Sequence, residues 1–200
     1  MNASTDTGAP AERLSAFQQA RAAPPPRGDE RLPAGVEVHA LRPYADERGV
    51  FTELLREEWG LARPVQWNAV RSEAGVLRGV HLHPRHDDYL TVVAGRASVG
   101  LHDLRPASAT SGRSTVVELD AERPAAIVIP HGVAHGFLFH SPSIHVYAVS
   151  HTWDPDDELG CRWDDPELGI SWPETPSSVS DRDLALPSLA GLAATLARAT

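Results

Sequence analysis

The sequence contains a single cysteine, Cys161, and no apolar run near the roughly 20 residues that a membrane-spanning helix requires. One cysteine excludes an intramolecular disulfide and a cysteine-rich zinc site, and it fits a reducing compartment. We therefore predict a cytoplasmic protein that is not embedded in a membrane. The N-terminus has no charged region followed by an apolar block, so we expect no signal peptide. Basic charge is also scarce, and the formal net charge of -9 argues against a nucleic-acid partner.

Long helical patterns are scarce as well, whereas the 17 prolines and 15 glycines favour a turn-rich β protein. The 200 residues are enough for one domain of ordinary size with a real core. Residues 1–34 are rich in alanine, proline and small polar residues, which predicts a flexible N-terminal arm. Residues 35–200 are then the folded domain.

Short stretches of alternating apolar and polar residues follow one another along residues 36–151, with turn residues between them. This pattern predicts an all-β antiparallel sandwich or barrel and not a series of βαβ units. The predicted strands are Val36–Ala40, one within Asp46–Leu55, Val65–Val70, Gly79–His83, Tyr89–Val93, Ala97–Leu104, Ser114–Leu119, Ala126–Ile129, Ala134–Phe139 and Ile144–His151. Near the C-terminus, Ser188 is a plausible N-cap for a short helix whose leucines share one face.

Histidines are concentrated in residues 75–95, where Arg78 lies close to His81, His83 and His86. Alternation along the predicted strand places His81 and His83 on one face. Two histidines on one face are costly to bury without partners, so the pair indicates a functional site. His135, in the later segment Ile129–Phe137, is a further candidate for the same pocket.

Two chemistries can use these histidines. In the first, His81 is a general base that removes a proton from carbon, with a carboxylate to fix its tautomer and an acid on the opposite face of the substrate. In the second, His81, His83, Asp88 and His135 ligate a divalent transition metal, as three imidazoles and one carboxylate with an open position can do. The two interpretations compete for His81, because a ligated nitrogen cannot also accept a proton.

Residues from about 37 to 190 resemble the dTDP-4-dehydrorhamnose 3,5-epimerase family of cupins. The motifs that carry the resemblance occur in the family's order and cover most of the chain. They are DERGVF at Asp46–Phe51 with Glu53, VQWN at Val65–Asn68, GVLRGVH at Gly75–His81, IPHGVAHGF at Ile129–Phe137 and ELGCRWDDPELGISWP at Glu158–Pro173.

The resemblance implies a cupin-type double-stranded β-helix, or jelly roll, with the short C-terminal helix outside it. It also implies a homodimer that needs no cofactor and epimerises a nucleotide-linked 4-keto-6-deoxy sugar by proton abstraction and reprotonation beside the ketone. The family's base falls on His81, its pairing carboxylate on Asp183 and its acid on Tyr147. Arg78 and His135 match residues that help hold the keto oxygen and the diphosphate. The residues that match the family's nucleotide-binding positions are Arg48, Phe51, Glu53, Gln66 and Asn68.

The chain departs from the family at Asp88, where a lysine is usual, and at His83, which follows the matched base by two residues. Together these changes recreate the spacing of the general metal-cupin motifs, Gly-x5-His-x-His-x4-Asp-x6-Gly and Pro-x-Gly-x2-His. A metal-dependent cupin oxygenase or isomerase is therefore an alternative, and a non-catalytic cupin that binds a small ligand is another. The remaining histidines, including His86 and His145, are expected at the surface or behind the site. The acidic run from Asp154 to Asp165 is expected to be a solvated loop.

Overall fold

The computed structural model describes residues 31–199. Within that range no helix is long and apolar enough to cross a membrane. These described residues form thirteen β-strands, three short 3-10 turns and two helices. The strands are β1 Glu37–Ala40, β2 Pro43–Asp46, β3 Gly49–Thr52, β4 Gln66–Ser72, β5 Val76–Leu82, β6 Asp88–Ala94, β7 Arg96–Asp103, β8 Ser114–Asp120, β9 Ala125–Ile129, β10 Val133–Phe139, β11 Ser143–Val149, β12 Leu159–Gly160 and β13 Ser178–Val179. The helices are α1 Asp181–Leu184 and α2 Leu189–Ala199.

The strands form two facing sheets and a separate hairpin. One sheet has the order β1-β9-β6-β11-β4, and the other has the order β12-β5-β10-β7-β8 with β13 added beside β5. From β4 to β7, and again from β8 to β11, successive strands alternate between the sheets, so the chain winds as a double-stranded helix of strands. The predicted all-β jelly roll with a short C-terminal helix is confirmed. Among the strands of residues 31–199, β2 and β3 pair only with each other.

Apolar residues fill the space between the sheets and cover both outer faces. The inner core includes Val99, Leu101 and Ile127, all fully buried. The outer face of the β5 sheet packs against the C-terminal segment, including Leu192 of α2. Because β-strands alternate their side chains, each strand of this sheet supplies one row to the cavity side and one row to the helix side.

The predicted C-terminal helix is found at α2, and its N-terminus forms as expected. The Ser188 hydroxyl accepts a hydrogen bond from the Gly191 amide at 3.2 Å, which is the geometry of an N-cap. Leu189 and Leu192 are buried, and Leu196 packs beside them. At the other end of the chain, Leu32 packs into the inner core. The rest of the predicted arm lies outside the described residues, so the division at residue 34 stays a prediction.

A β-bulge in β5 sets the direction of the side chains that face the cavity. Two residues of β5 oppose one residue of β10 between the pairs His81–His135 and Arg78–Phe137. In a regular strand, Arg78 and His81 would point to opposite faces because they are three residues apart. The extra residue at the bulge shifts the alternation of side chains by one position, so both side chains line the cavity. Gly79 permits the bulge, since its φ is +110° and a Cβ there would lie 2.8 Å from backbone atoms of β10.

Candidate active site

A cavity of about 260 Å³ opens between the two sheets. This volume is near the lower end of the range for small-molecule sites, about 300–1,000 Å³. Its lining mixes carboxylates, imidazoles, two guanidinium groups and a phenol. The polar residues that line it are Asn68, Arg78, His81, His83, His86, Asp88, His135, His145, Tyr147, Glu158, Ser180, Arg182 and Asp183.

His81 and Asp183 form a hydrogen-bonded pair on one wall of the cavity. The His81 Nε2 lies 2.8 Å from the Asp183 Oδ1, and the second carboxylate oxygen accepts the Gly79 amide at 3.1 Å. Because a carboxylate only accepts, the hydrogen of the imidazole lies on Nε2 and the lone pair lies on Nδ1. Burial disfavours the charged form of Asp183, but the hydrogen bond and charge of His81 and the hydrogen bonds of Gly79 and Ser180 together outweigh it and lower the pKa of the carboxyl. The pair therefore has an ionised carboxylate that orients the imidazole through its Nε2 hydrogen.

The position of Asp183 depends on the short helix α1. Ser180 caps this helix, and its hydroxyl accepts the Asp183 amide at 3.1 Å. The preceding strand β13 pairs in parallel with β5, the strand that carries His81. The C-terminal segment thus brings its carboxylate to a histidine 102 residues earlier in the chain.

Tyr147 lies on the facing wall. It belongs to β11 in the other sheet, is about half-buried and lines the same cavity as His81. Burial, followed by the charges of Asp88 and Glu158, raises the pKa of the Tyr147 phenol. The hydroxyl therefore keeps its proton at neutral pH and can donate it.

Arg78 adds a positive charge to the wall that carries His81. Its Nε donates to the Ser72 hydroxyl at 3.0 Å, which fixes the guanidinium at the edge of the cavity. The other cavity guanidinium, Arg182, lies 3.3 Å from Glu158. Of the two guanidinium groups in the cavity, Arg78 is therefore the one whose positive charge is less neutralised by a neighbouring carboxylate.

The metal-ligand set predicted from spacing is assembled only in part. One ligand atom from each of His83, Asp88 and His135 lies within 4.8 Å of the others, whereas His81 does not belong to that group. The physical reason is the Asp183 hydrogen bond, which holds the His81 Nε2 elsewhere. In this arrangement His81 lies outside the group that the other three residues form, and the four-ligand set stays a prediction.

His86, expected at the surface or behind the site, is instead buried in the cavity wall, with 2% of its surface exposed. Its Nδ1 lies 2.7 Å from the carboxylate of Asp157, and its ring stacks on His83 with centroids 3.9 Å apart. Asp157 is also buried and accepts from Arg85 at 3.1 Å. The prediction of a wholly solvated acidic loop is therefore wrong at Asp157 and at its neighbour Glu158, which lines the cavity. It is also wrong at Asp165, which is buried and accepts the Leu189 amide at 2.9 Å. Spacing could not identify these contacts, because 71 residues separate Asp157 from His86.

His145 is a second cavity residue that the sequence did not single out. It is 3% exposed and stacks between Phe137, Phe139 and Tyr147, at centroid distances of 5.3–5.9 Å. Its Nδ1 has no hydrogen-bond partner within the described residues. Burial, and then the charge of Arg78, lowers the pKa of His145 to about 4. Alternation in β11 was the available signal, since residues 145 and 147 share a face.

The residues predicted to bind the nucleotide fall into two groups. Asn68 lines the cavity and accepts from the Gln66 amide at 3.0 Å, so these two lie at its margin. Arg48 and Phe51 lie on the β2–β3 hairpin, where a separate surface depression forms. Glu53 follows that hairpin and pairs with Arg56 at 2.9 Å. None of these three lines the cavity within the single chain.

Comparison with known proteins gives the arrangement a context. The family model described as dTDP-4-dehydrorhamnose 3,5-epimerase matches residues 32–191. A dTDP-4-dehydrorhamnose 3,5-epimerase of Methanothermobacter thermautotrophicus is 40% identical over 138 residues, which are 65% of this chain and 75% of that protein. The rmlC epimerase of Mycobacterium tuberculosis has a TM-score of 0.79 at 31% identity, over 86% of this chain and 91% of that one. ChmJ, a 3'-monoepimerase from Streptomyces bikiniensis solved with dTDP-quinovose, has a TM-score of 0.75 at 31% identity, over 82% and 88%.

Proposed function

The chain belongs to the dTDP-4-dehydrorhamnose 3,5-epimerase family, and from that premise we propose that it epimerises a dTDP-linked 4-keto-6-deoxy sugar. The observation that carries the proposal is the His81–Asp183 pair inside a cavity whose facing wall holds Tyr147. The names of the matched relatives favour this function over the metal-dependent oxygenase and the non-catalytic binding protein.

The proposed reaction is a proton transfer through an enolate. The Nδ1 of His81 removes the proton from the carbon beside the ketone, and the electrons of that C–H bond move to the keto oxygen. Asp183 stabilises the resulting imidazolium, and Arg78 stabilises the enolate oxygen. Tyr147 then donates its proton to the same carbon from the opposite face, which inverts the stereocentre. Exchange with solvent returns the proton to the phenolate and removes one from the imidazolium.

The topology supports a base and an acid on opposite faces of a sugar ring. His81 lies in the β5 sheet and Tyr147 in the β11 sheet, and the two sheets face each other across the cavity. Stacked sheets lie about 10 Å apart, which leaves room for a ring between the two side chains. A sugar ring held there would have His81 on one face and Tyr147 on the other. This proton transfer uses side chains alone, so the proposal assigns it no cofactor.

Nucleotide binding is proposed to involve a second copy of the chain. The hairpin that carries Arg48 and Phe51 also exposes Val50, with 68% and 55% of the surfaces of Val50 and Phe51 accessible. Large apolar side chains in an exposed cluster are typical of protein interfaces. A homodimer in which this hairpin reaches the partner's cavity would bring Arg48, Phe51 and Glu53 to the nucleotide, beside Gln66 and Asn68. Light scattering of the purified chain tests the dimer. The cytoplasmic location predicted from Cys161 is part of the same proposal.

Solvent deuterium exchange tests the two proton-transfer roles separately. His81→Asn removes the base, so we expect the wash-in of deuterium at the sugar carbon to fall about 10²–10⁴-fold. Tyr147→Phe keeps the base, so exchange should continue while net inversion is lost. His151→Asn is the control, because His151 is exposed and lies outside the cavity.

NMR of a dTDP-4-keto-6-deoxy sugar in deuterated water reads both events and shows how many stereocentres react. Exchange at the wild-type rate in His81→Asn would remove His81 from the mechanism. Full inversion in Tyr147→Phe would do the same for Tyr147.

A further inference from the structure

Three buried imidazole rings point the same nitrogen at one buried carboxylate. The Nε2 atoms of His83 and His135 lie 3.8 and 3.7 Å from the Asp88 Oδ2, and the Nε2 of His86 lies 3.8 Å from the Oδ1. These separations exceed the length of a hydrogen bond between nitrogen and oxygen. All four residues are buried, with at most 6% of their surface exposed. The cluster therefore surrounds a small polar space that direct hydrogen bonds do not close.

The outward side of each ring shows why the inward nitrogens are acceptors. The Nδ1 of His135 lies 3.1 Å from the Val133 carbonyl, and the Nδ1 of His83 lies 3.3 Å from the Asp157 carbonyl. The Nδ1 of His86 lies 2.7 Å from the Asp157 carboxylate. Carbonyl and carboxylate oxygens only accept, so each ring carries its hydrogen on Nδ1 and its lone pair on Nε2. This outer hydrogen bonding is the arrangement that orients metal-ligating histidines.

The lone pairs and the carboxylate face one another across the same space. The nitrogen lone pairs repel the lone pairs of the carboxylate oxygens that they face, and a positive charge between them removes that repulsion. Apart from Arg78, the cavity supplies little such charge, since Arg182 lies 3.3 Å from Glu158 and Asp183 adds another carboxylate. An anionic substrate would increase the deficit. A cation at the cluster would relieve both problems at once.

We propose that His83, His135 and Asp88 ligate a divalent first-row transition metal ion through their Nε2 atoms and one carboxylate oxygen. The three ligand atoms lie within 4.8 Å of one another. Metal bonds of about 2.0–2.2 Å allow ligand atoms up to about 4.2 Å apart, so separations of 3.7 and 3.8 Å to Asp88 fit. Two imidazoles and one carboxylate suit such ions and leave coordination positions open toward the cavity.

His86 and His81 lie beside the proposed ion without being ligands in it. His86 faces the other oxygen of Asp88 and stacks on His83, so it supports two of the ligands. The Nε2 of His81 is held by Asp183, which leaves the base outside the metal site. When bound, the ion would add positive charge to the cavity that holds a substrate. That role rests on the proposed epimerase function, whereas the binding of the ion does not.

Equilibrium binding of Co²⁺ to the full chain tests the site without any substrate. The protein is purified without a metal-affinity column, treated with a chelator, dialysed and titrated with Co²⁺. Visible absorption of the bound ion reports the coordination, and elemental analysis reports the stoichiometry. We expect about one equivalent per chain.

Four variants identify the ligands. Asp88→Asn and His135→Gln each remove one ligand, so affinity should fall about a hundredfold or more. His81→Asn should bind Co²⁺ as the parent does, because His81 is not a ligand. His131→Asn is the matched control, since His131 is 60% exposed and pairs with Asp87. Circular dichroism and melting curves show that each variant is folded, and His83→Gln replaces any ligand variant that is not.

The proposal would be overturned by a parent chain that binds no Co²⁺, or by ligand variants that bind it as tightly as the parent. Loss of binding in His81→Asn would replace this ligand set by one that includes the base. Because no substrate is present, failure here leaves the deuterium-exchange experiment untouched. Likewise, a failed exchange experiment would leave the binding result standing.

Discussion

Replacing Asp183 by asparagine changes one atom, and the structure indicates that it reverses the tautomer of His81. One carboxylate oxygen accepts the Gly79 amide at 3.1 Å, and the other accepts the His81 Nε2 hydrogen at 2.8 Å. A backbone amide can only donate, so the single oxygen of asparagine must stay with Gly79. The side-chain NH2 group then faces His81, whose Nε2 becomes an acceptor and whose Nδ1 takes the hydrogen. The nitrogen that should remove the substrate proton is thereby blocked.

The size of the effect follows from what the blocked nitrogen contributes. A positioned general base accelerates proton transfer about 10²–10⁴-fold. Asparagine also removes the negative charge that stabilises the imidazolium, as in other base–carboxylate pairs where this exchange lowers kcat about 10⁴-fold. We expect a loss of about 10³–10⁴-fold, which corresponds to about 4–5.5 kcal/mol in the activation free energy.

The assay is deuterium wash-in at the sugar carbon, followed by NMR under single-turnover conditions. Asp181→Asn is the matched control, because it removes an exposed carboxylate from the same helix α1. Wild-type melting behaviour in Asp183→Asn would show that the loss is not caused by unfolding. An exchange rate within tenfold of wild type would refute the tautomer argument.

Two further predictions concern stability. Burial, and then the charge of Arg78, lowers the pKa of His145 to about 4. Between about pH 6.5 and 4 the unfolded chain therefore binds a proton at His145 that the folded chain does not bind, so acid favours unfolding. The free energy of unfolding should be complete above pH 6.5 and lose up to about 3 kcal/mol on acidification through that window. His145→Phe should therefore gain stability relative to wild type as the pH falls through that window in urea denaturation, and a pH-independent difference would contradict this. Gly79→Ala places a Cβ 2.8 Å from the Gly136 Cα at a φ of +110°, so the free energy of unfolding should fall by about 1–3 kcal/mol or more. An unchanged denaturation midpoint would show that the bulge tolerates a side chain.

Local sequence patterns were sufficient for the strands and the C-terminal helix. Side-chain alternation in β4–β11 and the Ser188 cap depend on neighbouring residues, so both can be recognised in the sequence. Strand β2 was not predicted and is defined by its pairing with β3. The small strands β12 and β13 were missed as well, because two residues carry no period. They are defined by pairing with β5 and have no signal of their own.

The sequence by itself determined the family, the jelly roll and the histidine-rich segment, because the order of the motifs and the periodicity of the apolar residues are properties of the linear sequence. Only the tertiary structure decided which histidines act together. A bulge of one residue at Gly79 turned Arg78 and His81 to the same wall, and the return of α1 brought Asp183 to His81. The same folding left His81 out of the cluster around Asp88 and put His86 beside it. Spacing along a strand gives the face of a side chain, whereas the ring nitrogen that faces a partner depends on hydrogen bonds from distant segments.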